Sequence, residues 1–251
     1  VLQASLHDEV LRQAVTGGQV DTLLSLGGDG TILRTAHLCA AVGVPILGIN
    51  LGRFGFLTEI HDLKWQEALP KLCRGEYRTE ERMMLRAELV RAGKVVEGWD
   101  VLNDIVVCRG QVVRPIHVEA SLDGYRLASY VADGLIVATP TGSTAYALAA
   151  GGPIMPPELR NILIVAVAPH LSMDRAIILQ EGAEVTVRAR ASHQPVLSVD
   201  GQPSIPLEED DAVVARAGRH GVKFIRFASP GAFYRNLSRY MEQNPITGGT
   251  L

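Results

Sequence analysis

Short apolar runs alternate with helix-length stretches at the start of this chain, and glycine turns join them. Thr22-Leu23-Leu24-Ser25-Leu26 reads as a short buried strand, and Ile32 to Ala41 has the apolar content and length of a helix. Gly43 closes that helix, and Val44-Pro45-Ile46-Leu47-Gly48-Ile49 reads as a second buried strand. Such alternation is the pattern of a parallel α/β sheet. Ahead of it, Leu2, Leu6, Val10, Leu11 and Ala14 recur at roughly helical spacing before Gly17-Gly18. Behind it, Asn50 to Leu57 follows a strand end, where open α/β sheets place their ligand-binding loops. A further helix is expected from Asp62 to Cys73, with Leu63, Ala68, Leu69 and Leu72 on one side.

After Gly75 the texture changes to short β-branched segments separated by turns. Strands are expected at Met84 to Val90, Val101 to Cys108, Ile116 to Leu122, Leu135 to Ala138, Ile162 to Val167, Val185 to Arg190 and Val196 to Val199. Arg91-Ala92-Gly93-Lys94 and Leu122-Asp123-Gly124-Tyr125 read as hairpin turns. The expected fold is an α/β N-terminal domain with a parallel sheet plus an all-β, sandwich-like second domain, with the site in the cleft between them. Residues 1–76 form the first domain, to which 224–251 return, and 77–223 form the second. Phe233 to Met241 is expected as a short helix and Asn244 to Leu251 as loose chain.

Hydrophobic residues make up 47% and charged residues 20%, the balance of a globular chain rather than a disordered one. With a net charge of −3 there is no basic field for nucleic acid or an anionic membrane, so a polyanionic ligand must be gripped locally. Cys39, Cys73 and Cys108 show no paired spacing and read as reduced thiols; none of the seven histidines makes a ligand spacing with Asp, Glu or Cys. No signal peptide, lipidation motif or long uncharged apolar run occurs, which points to a cytoplasmic location. The chain begins at Val1 rather than Met, so N-terminal sequence is expected to be missing.

Three stretches carry chemistry. Gly27-Gly28-Asp29-Gly30-Thr31 lies at a strand-to-helix turn, where backbone N–H groups and the helix dipole favour an anion and glycines let a ligand approach the main chain. A carboxylate in such a turn suggests phosphoryl chemistry on a hydroxyl; a plain Gly-Asp turn is the alternative. Asp133 to Tyr146 is a strand feeding a turn with four hydroxyls (Thr139, Thr141, Ser143, Thr144), which offer a helix cap and donors to ribose, amide or phosphate. An ordinary capped helix is the alternative. Asn103-Asp104 interrupts an apolar strand; an unpartnered buried amide costs about 2–7 kcal/mol, so the pair is either satisfied internally or faces a ligand.

At these residues the chain resembles the NAD kinases, which phosphorylate the adenosine 2′-hydroxyl of NAD. Gly27 to Thr31, Gly48-Ile49-Asn50 with Gly52 and Gly55-Phe56-Leu57, Asn103-Asp104, and Asp133-Gly134 leading to Thr139 through Tyr146 stand in that family's order and approximate spacing. Pro169-His170-Leu171-Ser172 and Asp200-Gly201-Gln202 resemble its later motifs. The resemblance implies that Asp29 accepts the 2′-hydroxyl proton, or helps to place that hydroxyl and Mg²⁺. It implies that Gly30 approaches the nucleotide through its backbone and Arg34 lies near phosphates. Asn103 and Asp104 would hold the acceptor's ribose and adenosine, Arg114 would contact substrate, and Asp133 would recognise an amide or amino group. Thr141 would bind the nucleotide, Thr144, Ala145, Tyr146, Ala147, Leu148 and Ala149 would wall the base, with Tyr146 packed on it, and Gln202 would close the pocket. Phe54 and Phe56 suggest a stacking pair, but core packing is the simpler reading. The implied substrates are NAD and a phosphoryl donor, ATP or polyphosphate, with Mg²⁺ or another divalent cation, no metal being assigned to protein side chains. A homodimer or homotetramer is implied as well.

The chain departs from the family at three points. Val131 stands where a basic residue is common, Ala149 where a serine is, and Ala176 where a proline is. The family's usual first strand would lie upstream of Val1 or be missing.

Neither a Gly-x-x-x-x-Gly-Lys-Ser/Thr loop nor a Gly-x-Gly-x-x-Gly turn opening a helix occurs, so P-loop and Rossmann modes of nucleotide binding are excluded. With no covalent nucleophile motif, catalysis should rest on positioning, a divalent ion and Asp29, which at the ordinary Asp pKa of about 3.9 would be ionised at neutral pH. Two other readings stand beside this one: a kinase of a lipid or sugar hydroxyl sharing the glycine turn, and a non-catalytic NAD(P)-binding module.

Overall fold

The computed structural model describes residues 3–52, 55–61, 64–170, 174–191, 193–235 and 237. Phe54, the helix start at Asp62-Leu63, and Leu171-Ser172 lie outside them. So do the loose end at 244–251 and most of the expected tail helix, of which residues 232–235 are helical. The chain divides into two compact units, one made of residues 1–82 with 220–251 and the other of 83–219.

In the first unit Asp8 caps helix α1 (Glu9–Thr16) by accepting the Val10 N–H, and Gly17 ends it. Strand β1 (Leu23–Leu26) pairs in parallel with β2 (Ile46–Asn50), from Leu23↔Ile46 to Leu26↔Ile49. Helix α2 (Asp29–Cys39) joins them and, with Gly43 in the left-handed conformation after it, returns the chain. β2 is buried along its length, as expected of an interior parallel strand. β1 was expected to be buried but alternates: Leu23 and Ser25 face in, while Leu24 and Leu26 are exposed. It is the sheet's edge strand, and the apolar run Leu23-Leu24 hides its period of two. The short β3 (Ile60–His61) pairs in parallel with β2, and α3 (Trp65–Cys73) contributes Ala68 to a core with Leu47, Ile49, Ile60 and Ile225.

In the second unit, which also takes up β4 (Arg78–Arg91) from Met83 onward, hairpins build a sandwich. β4 turns through Ala92 and Gly93, both at positive φ, into β5 (Lys94–Val101). β6 (Asp104–Arg109) follows after a two-residue bend, and β7 (Ile116–Leu122) turns through Asp123-Gly124, again at positive φ, into β8 (Tyr125–Ala132). These are the two hairpin turns expected from sequence, with the backbone that type I′ turns require. The remaining elements are β9 (Gly134–Ala138), the one-turn helix α4 (Tyr146–Ala149), β10 (Asn161–Val167), β11 (Ile177–Gln180), β12 (Val185–Arg190), β13 (Pro195–Val199), β14 (Ile205–Pro206) and β15 (Ala212–Arg226).

The order β11-β10-β9-β6-β13-β14 forms an entirely antiparallel six-stranded sheet. Its inner face (Ile105, Val107, Leu135, Val137, Ile162, Ile164, Leu197) packs against the sheet containing β4, β7, β8, β12 and β15 in one core. Its outer face (Val106, Ile136, Ala138, Leu163, Val165) is covered by Ala147 and Met155. This second cover holds the hydroxyl-rich segment against the sheet and explains why β9 is buried at all five positions.

Two expectations are corrected. Val101 to Cys108 is not one strand: β5 ends at Val101, Leu102-Asn103 bends, and β6 begins at Asp104 in the other sheet. The 15-residue β15, absent from the sequence reading, pairs with β12 at one end and in parallel with β2 through Phe224↔Ile46 at the other. No helix among the described residues is long and apolar enough to cross a membrane.

Candidate active site

Asp29 is the first residue of α2 rather than a member of the preceding turn. Its carboxylate leaves the helix and accepts the backbone N–H of Phe56 at 2.9 Å and of Leu57 at 3.1 Å. The close approach depends on Gly55, where a Cβ would fall 2.2 Å from Asp29 Oδ1. Gly27, at φ +152, is held by Thr31, whose Oγ1 would lie 2.7 Å from an added Cβ. At Gly28 and Gly30 a Cβ would meet nothing within 4 Å, so the fold of this unit does not itself require glycine there. Burial pushes the Asp29 carboxyl above its ordinary value, and the Phe56 and Leu57 N–H groups with the charges of Arg82 and Arg226 pull in the opposite direction. The free-solution value assumed from sequence therefore does not hold. Arg34 is exposed on α2.

A buried ionic cluster in the same unit was not legible in the sequence. Glu80 accepts Arg82 Nε at 2.9 Å and Arg226 Nη2 at 3.1 Å, and pairs with Arg78 at 3.3 Å. Arg82 and Arg226 each lie over the Phe224 ring, at 5.1 and 5.2 Å. Together the arginines hold the Glu80 carboxyl down at about 2 against the opposing effect of burial. Sequence separation of about 150 residues hides such a cluster. Its one local signal is a single arginine inside the apolar run Phe224-Ile225-Arg226-Phe227.

In the second unit the organising group is Asp200, to which its place in the Asp200-Gly201-Gln202 motif assigns no role by itself. It stands at φ 49 in the turn after β13, next to Gly201 at φ 67, and its carboxylate faces back toward the chain at 102–104. There it accepts three successive N–H groups, Leu102 at 2.8 Å, Asn103 at 2.7 Å and Asp104 at 3.1 Å. Those bonds replace ladder bonds and allow the chain to leave one sheet for the other at Asn103. The Asp200-Gly201 pair after an apolar strand was the available signal.

Asp104, 6% exposed, is pushed up to about 7 by burial and then by the Asp200 charge, against the Tyr146 N–H that it accepts. Thr139 hydrogen-bonds the Leu102 carbonyl through its hydroxyl and the Asn103 carbonyl through its N–H. An added Cβ at Gly142 would sit 2.0 Å from the Asn103 oxygen. Asn103, Asp104, Thr139, Thr141, Gly142, Thr144, Ala145 and the Tyr146 backbone are thereby brought together.

Three of the four hydroxyls, those of Thr139, Ser143 and Thr144, are engaged within the chain rather than free for a ligand in the expected way. Ser143 donates to Pro140 and accepts the Met155 N–H, Thr144 donates to Thr141, and no side chain caps α4. Ala147 is fully buried in the outer-face core, Leu148 is half-buried, and Tyr146 and Ala149 are exposed.

Asp133 stands at the opposite end of β9 from Thr139, about 20 Å away at ~3.3 Å per residue. There it pairs with Arg109 at 3.1 Å. The Tyr146 hydroxyl is raised by burial first, then by Cys108, Asp133 and Asp104, so the ring lies within electrostatic reach of both carboxylates. Arg114 and Gln202 are exposed; Gln202 donates its N–H to Val199, and its carbonyl accepts Ser198 Oγ.

Comparison with known proteins decides the family. Residues 7–77 match the ATP-NAD kinase N-terminal domain, and residues 102–227 match the ATP-NAD kinase C-terminal domain. The chain belongs to the NAD kinase family. It is 43% identical over 226 residues to the NAD kinase of Heliobacterium modesticaldum, covering 90% of this chain and 80% of that one. With the NAD kinase of Moorella thermoacetica the identity is 45% over 232 residues, covering 89% and 74%. Among solved structures, yeast NADH kinase complexed with NADH superposes with a TM-score of 0.82 at 29% identity, covering 90% of this chain and 67% of that one. An Archaeoglobus fulgidus NAD kinase in complex with ATP superposes at 0.75 with 26% identity, covering 91% and 85%. The NAD kinase fold, a mixed N-terminal sheet with parallel strands and an antiparallel second sheet, is thus both the expected and the observed one.

Proposed function

We propose that this NAD kinase family member transfers the γ-phosphoryl group of ATP to the adenosine 2′-hydroxyl of NAD, with Asp29 as the base. The observation that carries this reading is the half-buried Asp29 carboxylate, fixed by two peptide N–H groups beside glycines that the unit's own packing does not demand. A carboxylate raised by burial is a better proton acceptor near neutral pH than one at its ordinary value, and such help is worth ~10²–10⁴-fold in rate. Phosphoryl transfer otherwise rests on alignment and charge neutralisation, which the bare turn favours through its N–H groups.

Asn103 and Asp104 take the ribose and adenosine in this reading, and Asp133 an amide or amino group. Their separation by the length of β9, with the Tyr146 hydroxyl in electrostatic reach of both carboxylates, suits an extended dinucleotide. Arg34 and Arg114, both exposed, are available to phosphates, and Gln202 to the outer edge of the ligand.

Mg²⁺ fits as a companion of the nucleotide. No group of three or more His, Cys, Asp or Glu side chains that could cage a metal occurs among the described residues, and Mg²⁺ is ordinarily held by substrate phosphates with one or two carboxylates. When bound it would neutralise charge on the phosphates. Assembly as a homodimer or homotetramer belongs to the same reading and is open to light scattering.

The deciding experiment crosses NAD and NADH with ATP and polyphosphate in a coupled assay, on the parent and on Asp29→Asn. NADP formation that vanishes in Asp29→Asn while NAD binding survives supports the proposal. Full activity in that variant removes Asp29 as base, and phosphorylation of a lipid or sugar but not NAD removes the acceptor.

A further inference from the structure

Asp29 is not oriented by its own helix. Leu57, one of the two residues that hold it, is anchored on both sides of its Cα: it donates its N–H to Asp29 Oδ1, and its carbonyl, in the next peptide, accepts Arg226 Nη1 at 3.2 Å. Arg226 is 5% exposed and cannot swing. Glu80 Oε1 takes its Nε at 3.2 Å and Nη2 at 3.1 Å, and Glu59 Oε2 stands 3.4 Å from Nη1. The other Glu59 oxygen accepts the N–H groups of Phe227 and Ala228, which fixes the backbone just beyond Arg226. We infer that Arg226 is a positioning residue for phosphoryl transfer, its guanidinium clamped between Glu80 and Glu59 so that it anchors Leu57 by the carbonyl and keeps that residue's N–H on Asp29. The inference rests on the reading of Asp29 as the base.

Charge and shape both support this. Arg78, Arg82 and Arg226 against Glu59 and Glu80 leave one positive charge in the cluster, which the Asp29 carboxylate balances. The charged groups that act on Asp29 are Arg82 from β4 and Arg226 from β15. A guanidinium presents its donors in one rigid plane and serves two carboxylates and a carbonyl at once. A lysine, with a single rotating ammonium, keeps the charge but not the fork.

The test measures NADP formation from NAD and ATP in Arg226→Lys and in the charge-neutral pair Glu80→Gln/Arg226→Gln, each in the parent and in the Asp29→Asn background. Binding of NAD and melting are followed in parallel. A base displaced by about 1 Å loses on the order of 10² in rate, so kcat should fall by about that factor in the parent with KM for NAD nearly unchanged. In Asp29→Asn the same changes should leave the residual rate where it was, because there is no base left to aim. Equal fold-losses in both backgrounds, a loss confined to KM, or variants that do not fold would make Arg226 a structural residue and overturn the inference, with Asp29 as base untouched. Asp29→Asn at full activity would instead overturn the base. Where the residual Asp29→Asn rate is too low to measure, the split between kcat and KM in the parent decides.

Discussion

Gly55→Ala adds one methyl group and tests whether the loop after β2 sets the position of Asp29. Gly55 does not adopt a positive φ, so alanine meets no backbone penalty there. The new Cβ would lie 2.2 Å from Oδ1, 2.7 Å from Cγ and 3.0 Å from Oδ2 of Asp29, whereas ordinary contact begins at 3.4 Å. Relief requires the carboxylate or the loop to retreat by about 1 Å, a displacement that can cost on the order of 10² in rate for an aligned group. The same retreat stretches the bonds from Phe56 at 2.9 Å and Leu57 at 3.1 Å. Hydrogen bonds to a charged acceptor are worth about 1.5–3 kcal/mol each, and weakening both should lower stability by about 2 kcal/mol. Initial rates at saturating NAD and ATP, calorimetric titration of NAD and a denaturant melt separate these effects. Gly55→Ala turning over within twofold of the parent, with an unmoved melt, would refute the claim that this loop positions the base.

Other expectations concern the second unit. The Asp104 carboxyl is raised from 3.8 to about 7 in the folded chain, so between those pH values the folded protein holds a proton that the unfolded chain has released. Stability therefore falls as pH rises through that window, by at most about 4 kcal/mol at 1.36 kcal/mol per unit. Asp104→Asn should be more stable than the parent at pH 8 and lose that advantage toward pH 4, which paired melts at the two pH values would show. Asp200→Asn keeps one acceptor oxygen and turns an amide nitrogen toward either the Leu102 N–H or those of Asn103 and Asp104; it should cost about 1–3 kcal/mol in denaturant and lower the Asp104 pKa in a carboxyl NMR titration. Gly142→Ala drives a methyl into the Asn103 carbonyl and should destabilise the second unit by about 1–3 kcal/mol and weaken NAD in a calorimetric titration, and an unchanged affinity would dissociate that contact from binding.

What the sequence disclosed follows from where its physics is local. β2 is an unbroken apolar run and was readable as an interior parallel strand. The two hairpin turns were readable because Gly93 and Asp123-Gly124 take the positive φ that their residue types favour, although Ala92 takes it too without such a preference. β15 was not, because Arg216, Gly218, Arg219, His220 and Gly221 interrupt its apolar pattern midway. Asn103-Asp104 stood out as polar residues in an apolar stretch, but the bend there is made by a carboxylate about 100 residues later, which no local window contains. The hydroxyls around Thr139 were conspicuous for the same compositional reason, yet most of them hold the chain's own carbonyls. Composition identified the segment and could not say which way its side chains turn. The arginines gathered on Glu80 left no local trace beyond Arg226.

The path of β15 has a consequence for synthesis. The second unit is one uninterrupted stretch, 83–219, while the first needs residues from 220 onward. A ribosome making this chain releases every residue of the sandwich before it releases Phe224, Ile225 and Arg226, which complete the N-terminal sheet and its core. Until then Glu59 and Glu80 lack their shared cation, and Ile46 of β2, paired with Leu23 on one side, lacks Phe224 on the other. The part translated first is therefore the part finished last, and a stop codon shortly before Arg226 would leave a complete sandwich attached to an N-terminal unit that cannot close.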